Sequence, residues 1–233
     1  MAKSKHTSAA VSKGRADELV SEIRRMGQTH GLNNVFTTFL ELAATSFASQ
    51  TDILNADKRA ERYRSMTENM PMEMQGEYGR LCLLLFMAIQ DHRDDPIDIL
   101  GAVYHELRLN NEWNGQFFTP DNISRMMAMM NGFGNKKESE EKPYVTISDS
   151  ACGSGTMLVA AAWAMLQNNC DYTSKCLCVA QDIDVRCVWM AYIQLALYGI
   201  PAVVIHGNSL TTETWDKWYT PNYWSVIQKG VVQ

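Results

Sequence analysis

The chain has 233 residues, of which 46% are hydrophobic and 20% charged, and its net charge is -5. This length accommodates one large core, or a small helical domain followed by an α/β domain, and the composition is that of a soluble globular protein. The negative charge argues against a uniformly positive surface for nucleic acid, and the longest apolar run, at 81–89, is too short to span a bilayer. We therefore expect no membrane partner.

The cysteines and the N-terminus indicate the compartment. None of the six cysteines forms a Cys-x-x-Cys pair, and the polar N-terminus lacks the apolar segment of a secretory signal. We interpret the cysteines as reduced, mostly buried thiols of a cytoplasmic protein, and we predict no metal site.

The first half of the chain predicts helices. Residues 1–14 carry Lys3, Lys5 and Lys13 and no acid, which is typical of a flexible basic tail. Residues 15–113 are predicted to form a helical N-terminal domain, because apolar residues recur at helical spacing in "ADELVSEIRRM", "NNVFTTFLELAATSFA" and "GRLCLLLFMAIQDH". In "DPIDILGAVYHEL", Asp95 as cap and Pro96 at the first helical position predict a helix start.

Residues 114–233 have a different pattern. A helix is predicted in "TPDNISRMMAMM", whose methionines we interpret as core residues. Strands are predicted at "YVTI" (144–147), "CLCVAQ" (176–181) and "AVVIHG" (202–207), with helices at "TMLVAAAWAML" and "VRCVWMAYIQLALYG" between them. This alternation predicts an α/β fold with a parallel sheet and right-handed crossovers.

The segment "DSACGSGTML" (149–158) joins the first predicted strand to a helix through a turn that contains Gly153 and Gly155. Glycine lets the backbone bend sharply there and approach a ligand without a Cβ in the way. The following helix N-terminus offers N–H groups and the positive end of a dipole, which suit a carboxylate or a phosphate. An ordinary tight turn also fits, because the pattern Gly-x-Gly-x-x-Gly is not completed.

Polar side chains follow the second and third predicted strands. Asp182 and Asp184 come one helix and one strand after the turn, where doubly wound folds place an acid that binds ribose hydroxyls. Asp184 is interpreted as the cap of the next helix, which leaves Asp182 as the ligand candidate. Asn208 lies at the same predicted edge, and His206 is interpreted as a strand residue without a catalytic role.

The segments "GQFFTP", "DSACGSGTML", "QDID" and "HGNSL", in this order, resemble the adenine-N6 DNA methyltransferases, above all the modification subunit of type I restriction–modification systems. The resemblance covers roughly residues 97–210. It implies a shortened Rossmann-like sheet that binds S-adenosylmethionine, preceded by an all-helical N-terminal domain. The implied cofactor-binding residues are Phe118, Thr119 and Pro120 at the methionine end, Asp149, Ala151, Gly153, Ser154 and Gly155 in the loop, Asp182 at the ribose, Ile183 against the adenine, and Asn208 facing the adenine amino group.

The chain departs from the family pattern in three places. Ser150 stands where proline is usual. Asn208 stands where aspartate is usual, and because an amide carries no charge, weaker cofactor binding is expected at this position. The family's catalytic segment, Asn/Asp-Pro-Pro-aromatic, has no match in the chain. "TPNYW" (220–224) is nearest, but its order is wrong and the polar "TETWDKWY" before it indicates a helix rather than a strand. The catalytic residues stay unassigned.

The family's strand order places the fourth strand beside the first, so we expect the first strand to be an edge and the domain at 114–233 to be incomplete at its C-terminus. Either "YWSVIQKGVV" (223–232) folds back as a substitute strand, or a protein partner or a second copy covers that edge. The aromatic residues near the C-terminus fit an interface or local packing equally. They are Trp215, Trp218, Tyr219, Tyr223 and Trp224.

Three functions remain open on these residues. In the first, the chain is a DNA adenine-N6 methyltransferase of restriction–modification type, with DNA as a partner. Alternatively, it is a catalytically inactive homologue that binds the cofactor or a protein partner. A methyltransferase that acts on a small molecule or a protein is the third alternative. The acidic net charge argues against tight DNA binding by this chain alone.

Overall fold

The computed structural model describes residues 5–109, 118–135 and 143–231. The first five helices are α1 (Lys5–His30), α2 (Leu32–Thr51), α3 (Ala56–Thr67), α4 (Met72–Asp91) and α5 (Ile99–Glu106). The elements that follow are α6 (Asp121–Met130), β1 (Val145–Asp149), α7 (Thr156–Gln167), α8 (Tyr172–Lys175), β2 (Cys176–Asp182), α9 (Val185–Leu197), β3 (Ala202–Asn208), β4 (Glu213–Tyr219) and α10 (Tyr223–Val231). A helical segment therefore precedes a mixed α/β segment.

One core joins the two segments. Apolar side chains at helical spacing form the buried faces of α1, α2, α4 and α5, as Leu19 in α1, Phe36 in α2 and Leu85 in α4 illustrate. The buried cluster continues through α9 to Trp218 of β4, and α9 packs against α2 as well as against β2 and β3. The proposed domain limits at 14 and 113 are not tested by this packing and stay predictions.

Helix α5 begins later than the sequence predicts. The predicted start at Asp95 and Pro96 is wrong, because the helix begins at Ile99 and has Asp98 as its N-cap. The Asp98 carboxylate accepts a hydrogen bond from the backbone N–H of Gly101 at 2.7 Å. The side chain of Asp98 thus satisfies an N–H of the first turn of α5, which is the role that defines an N-cap.

The sheet has the strand order β1-β2-β3-β4. The first two pairings are parallel, with Val145 opposite Cys176 and Cys178 opposite Ala202, which confirms the predicted parallel arrangement. β4 runs antiparallel to β3, with an irregularity in register between His206 and Gly207. The carboxyl ends of β1, β2 and β3 consequently meet at one edge of the sheet.

The C-terminal region differs from the sequence prediction. "TETWDKWY" does not form a helix; it supplies β4, whose Trp218 is buried while Trp215 on the other face is half exposed. Residues 223–231 form α10 rather than a substitute strand. The segment of β4 forms a strand because its side chains alternate between two faces. This period of two buries Trp218, and the charged side chains contact α3 or water.

Within the described residues, β1 pairs with β2 alone, so its other side is an edge. Tyr219, Tyr223 and Trp224 contact one another with ring centroids 4.8–5.4 Å apart. These three aromatic residues therefore pack locally between β4 and α10.

The methionines of α6 are not core residues, contrary to the interpretation from sequence. Met126, Met127, Met129 and Met130 are 41–80% exposed. The face of α6 that is buried carries the small residues Ser124 and Ala128, and α6 packs with this face against α7. Small side chains let the two helices approach closely, and the long side chains are left outside.

The sequence analysis predicts reduced, mostly buried thiols and no apolar run long enough to span a bilayer. All six cysteines are free, and five of them are buried. Burial raises the pKa of Cys82 to about 11. No helix among the described residues combines the length and the apolar character that crossing a membrane requires.

Candidate functional site

The candidate site lies at the sheet edge where β1, β2 and β3 end. The last residues of these strands are Asp149, Asp182 and Asn208. Parallel pairing brings their side chains to the same edge, which in open α/β sheets is where ligands bind. The structure thus brings together three of the polar residues that the sequence analysis selected.

The turn after β1 is a tight loop that leads into α7. Gly153 and Gly155 have φ angles of 54° and 91°, in the left-handed region that favours glycine. Asp149 Oδ1 accepts from the N–H of Ala151 at 3.2 Å, and the N–H of Cys152 donates to the Gln181 carbonyl at 2.9 Å. The loop is therefore fixed both to its own strand and to β2, with the N-terminus of α7 directly behind it.

Asp182 links the loop to the end of β2. Its Oδ2 accepts from the N–H of Gly153 at 2.9 Å, and its Oδ1 accepts from the N–H of Asp184 at 2.9 Å. Burial raises the pKa of the Asp182 carboxyl above its ordinary value, against the lowering effect of the backbone donors of Asp184, Gly153 and Ile183. A carboxylate has about four acceptor positions, so acceptor capacity remains for a ligand.

Asp184 is the helix cap that the sequence predicts. Its Oδ1 accepts from the N–H of Arg186 at 2.9 Å, and its Oδ2 lies 2.6 Å from Arg186 Nη2. The predicted cap is confirmed, because Asp184 closes the first turn of α9. Asp182 faces the loop, and its role as a ligand stays a prediction.

Asn208 and Ile183 occupy the same rim. Asn208 Oδ1 accepts from the N–H groups of Leu210 and Thr211 at 3.0 and 3.4 Å, so its Nδ2 is the group that remains to meet a ligand. The side chain of Ile183 is 58% exposed, which is unusual for an isoleucine that follows a buried strand. His206 Nε2 lies 3.2 Å from the Ile183 carbonyl and its ring meets Trp215, in agreement with a structural role.

Phe118, Thr119 and Pro120 precede α6. The Phe118 ring lies 5.0 Å from the Tyr104 ring and covers Gly153, where an added Cβ would come within 2.8 Å of it. Thr119 is half-buried and Pro120 exposed. The segment "GQF" before Phe118 lies outside the described residues.

Ser154 differs from the other loop residues, because its side chain is fully buried and points away from the rim. Its hydroxyl donates to Asp98 Oδ2 at 2.5 Å. Gln194 of α9 donates to the Ser154 carbonyl at 2.8 Å. The sequence analysis did not identify Asp98 or Gln194. The signal that could have identified Asp98 is its position directly before "ILG", where an aspartate can cap a helix as well as Asp95 can.

The segment "TPNYW" lies at the opposite edge of the sheet. Thr220 is fully buried, and its Oγ1 accepts from the N–H of Ala202 at 2.8 Å, at the start of β3. Asn222 Nδ2 donates to the Gly199 carbonyl at 2.8 Å. These residues close the amino end of β3 and therefore cannot reach a ligand held at the carboxyl end.

Two cavities lie away from the candidate site. One of about 450 Å³ is bounded by α2, α3, α9 and β4, and another of about 520 Å³ lies where α6 and α7 end. The first is lined by Arg59 and Asp216, whose charges pair with each other, and by Trp218. The chemistry of the rim, rather than cavity size, identifies it as the candidate site.

Replacing Gly153 with alanine tests the loop geometry. Alanine at a positive φ costs about 1 kcal/mol, and displacing the Phe118 ring adds roughly another 1 kcal/mol of overpacking. We expect Gly153→Ala to lower the unfolding free energy in urea by about 2 kcal/mol in total. The control is Gly132→Ala, since Gly132 has a φ of 67° and nothing within 4 Å of an added Cβ. Equal losses in the two variants would contradict the contact between Gly153 and Phe118.

A family model and a solved structure are similar to this chain. The model of the N-6 DNA Methylase family matches residues 95–227, more than half of the chain. Among solved structures, the chain is similar to the crystal structure of the type I restriction-modification system methyltransferase subunit from Streptococcus thermophilus, with 14% identity and a TM-score of 0.43. That alignment covers 91% of this chain and 60% of the subunit. No curated protein sequence matches the chain.

Proposed function

The chain belongs to the N-6 DNA methylase family, and we propose that it binds S-adenosylmethionine at the carboxyl edge of β1, β2 and β3 in a Rossmann-like manner. The observation that carries the proposal is the convergence of the glycine loop and Asp182 on one rim, joined by the hydrogen bond from Gly153 to Asp182. When bound, the cofactor supplies an activated methyl group.

The chemistry of the rim fits this cofactor. Asp182 retains acceptor capacity for the ribose hydroxyls, which carboxylates at this position of doubly wound folds bind. The exposed side chain of Ile183 offers an apolar surface for an adenine ring. The Asn208 amide, whose oxygen is engaged in its own turn, can donate from Nδ2 to a ring nitrogen instead of accepting from the amino group.

The methionine end of the cofactor would lie against the loop and α7. The N–H groups of Leu158 and Val159 donate to the Gly155 carbonyl, so the two N–H groups before them, those of Thr156 and Met157, would bind its carboxylate. Gly153 and Gly155 allow the ligand to approach the backbone, and Phe118 excludes water from that side. The remaining contacts that we propose to the cofactor are those of Thr119, Pro120, Asp149, Ala151 and the backbone of Ser154.

Methyl transfer to adenine in DNA is the second candidate function, and family membership favours it. The catalytic pattern Asn/Asp-Pro-Pro-aromatic is absent from these 233 residues, in which no two prolines are adjacent. Cofactor binding is therefore the function that these residues support best, and binding without transfer is the alternative.

Calorimetric titration with S-adenosylmethionine, and separately with S-adenosylhomocysteine, tests the proposal. We expect saturable one-to-one binding of both ligands. Absence of binding heat for both ligands, in a chain that is folded by circular dichroism, would refute it.

A transfer assay separates the two candidates. The chain is incubated with methyl-labelled cofactor and adenine-containing duplex DNA, and a matched duplex that carries N6-methyladenine throughout is the control. Label in the first duplex above the control supports transfer to adenine. Cofactor binding without label in either duplex supports the binding module.

A further inference from the structure

A buried polar network lies directly beneath the cofactor loop. Asp98 Oδ1 accepts from the N–H of Gly101 at 2.7 Å and from Gln194 Nε2 at 2.9 Å. Asp98 Oδ2 accepts from Ser154 Oγ at 2.5 Å and from Thr156 Oγ1. All four donors are neutral, and Asp98, Ser154, Thr156 and Gln194 are at most 8% exposed.

The network fixes the loop by side chain and backbone together. Ser154 stands between Gly153 and Gly155, the two residues of the loop with positive φ. Its hydroxyl is bound by Asp98 and its carbonyl by Gln194, whose Oε1 accepts in turn from the N–H of Leu100 at 3.0 Å. The loop is thus held between α5 and α9 from the side opposite the rim.

Gly101 shows how closely α5 approaches the loop. A Cβ on Gly101 would overlap Asp98 Oδ2 and lie 2.7 Å from Ser154 Oγ. The first turn of α5 can contact the loop only because this residue has no side chain. The contact therefore depends on two features of α5, a carboxylate at the cap and a glycine three residues later.

We propose that Asp98 is a positioning residue for cofactor binding, acting through Ser154 and Thr156 to hold the loop in its ligand-ready conformation. The inference rests on the proposed function, since it assigns to α5 the preorganisation of that same site. A loop that is ordered before binding loses less conformational freedom when the ligand arrives, which increases affinity without a direct contact. The helical segment thereby takes part in cofactor binding at a position that no ligand touches.

The test compares Asp98→Ala with two controls. Asp95→Ala removes an exposed carboxylate three residues earlier, and Leu85→Ala destabilises the core of α4 away from the loop. We expect Asp98→Ala to speed amide hydrogen exchange at residues 153–156 by about tenfold or more, and to weaken S-adenosylmethionine binding by a similar factor. Both controls should leave affinity within about twofold, although Leu85→Ala lowers the melting temperature.

Conservative variants separate positioning from general stability. Asp98→Asn keeps the shape and one acceptor, so its affinity should fall between those of the wild type and Asp98→Ala. Gly101→Ala keeps the carboxylate but displaces it, and should also speed exchange at 153–156, whereas Gly79→Ala, with nothing within 4 Å, should not. These variants replace Asp98→Ala if that chain does not fold.

The outcomes distinguish this inference from the proposed function. If the wild type shows no binding heat, cofactor binding fails, and the exchange rates at 153–156 still decide whether Asp98 holds the loop. If the wild type binds, but Asp98→Ala and Leu85→Ala of matched melting temperature give equal affinity and equal exchange at 153–156, the positioning role is refuted.

Discussion

Asp182→Ala is expected to weaken S-adenosylmethionine binding by roughly 100-fold, which corresponds to about 3 kcal/mol for the lost charge-assisted hydrogen bonds to the ribose. The variant also leaves the N–H of Gly153 without its acceptor, so the loop loses one of its attachments. Calorimetric titration measures the affinity. Burial raises the pKa of Asp182, so its carboxylate takes up a proton at a higher pH than an ordinary aspartate does. On acidification, the affinity of the wild type for S-adenosylmethionine should therefore begin to fall at that higher pH.

The control for this experiment is Asp184→Ala, two residues further along the chain. Loss of the cap on α9 should lower the unfolding free energy by about 1 kcal/mol and leave the affinity nearly unchanged. If the two variants lose the same affinity, Asp182 does not bind the ribose. If Asp182→Ala does not fold, its carboxylate is mainly a structural acceptor.

Arg59 is the second position with a large expected effect, because it connects α3 to β4 from a buried site. Its side chain is 4% exposed and donates to Asp216 Oδ2 at 2.6 Å and to the Lys217 carbonyl at 2.8 Å. Its guanidinium carbon lies 3.5 Å from the centroid of the Trp218 ring. Asp52, which is completely buried, lies 3.9 Å from Arg59 Nε.

Arg59→Ala should therefore lower the unfolding free energy by about 3–5 kcal/mol, since it removes the cation beside the buried Asp52 and one of the two cations, Arg59 and Lys58, that pair with Asp216. Urea unfolding followed by circular dichroism measures the loss. The matched control is Arg62→Ala, one turn later on α3, where the ion pair with Glu41 is equally short but Arg62 is 55% exposed. An exposed pair contributes at most about 1 kcal/mol, and equal losses in both variants would contradict the buried connection.

The loss caused by Arg59→Ala should shrink as the pH falls from 7 to below 3.8, the ordinary pKa of an aspartate. Burial raises the pKa of Asp216, but hydrogen bonds from Arg59 and Lys58 outweigh this and lower it, so the wild type loses stability as Asp216 takes up a proton. Burial raises the pKa of Asp52, and removing Arg59 raises it further, so the variant gains stability when Asp52 is protonated on acidification. Both changes reduce the difference at low pH; a difference that grows on acidification would contradict this account.

The parts of the fold that follow from local pattern could be predicted. The three parallel strands, the glycine turn and the cap at Asp184 are each encoded within a few residues, and the structure agrees with all of them. β4 could not be recognised, because its charged residues hide the alternation and Asp216 is satisfied by Arg59 from 157 residues away. The exposure of the α6 methionines was also out of reach, since it depends on how closely α6 approaches α7.

The candidate site likewise contains residues that local sequence signals predict and residues that they do not. The rim residues could be selected from sequence because strand ends and glycine turns are local signals, and the family match agrees with the motifs that carried the resemblance. The support beneath the loop could not be foreseen, because Asp98 is separated by 56 residues from Ser154 and by 96 from Gln194. The direction of the Asn208 amide depends on the turn after β3, which the motif "HGNSL" does not specify.

The exposed methionines of α6 have a chemical consequence. Oxidation turns a thioether into a polar sulfoxide, and on α6 the added oxygen would face water. The same change at Met190, which is completely buried in α9, would place a polar group inside the core. We therefore expect peroxide to oxidise the α6 methionines faster than Met190, and with a smaller effect on stability.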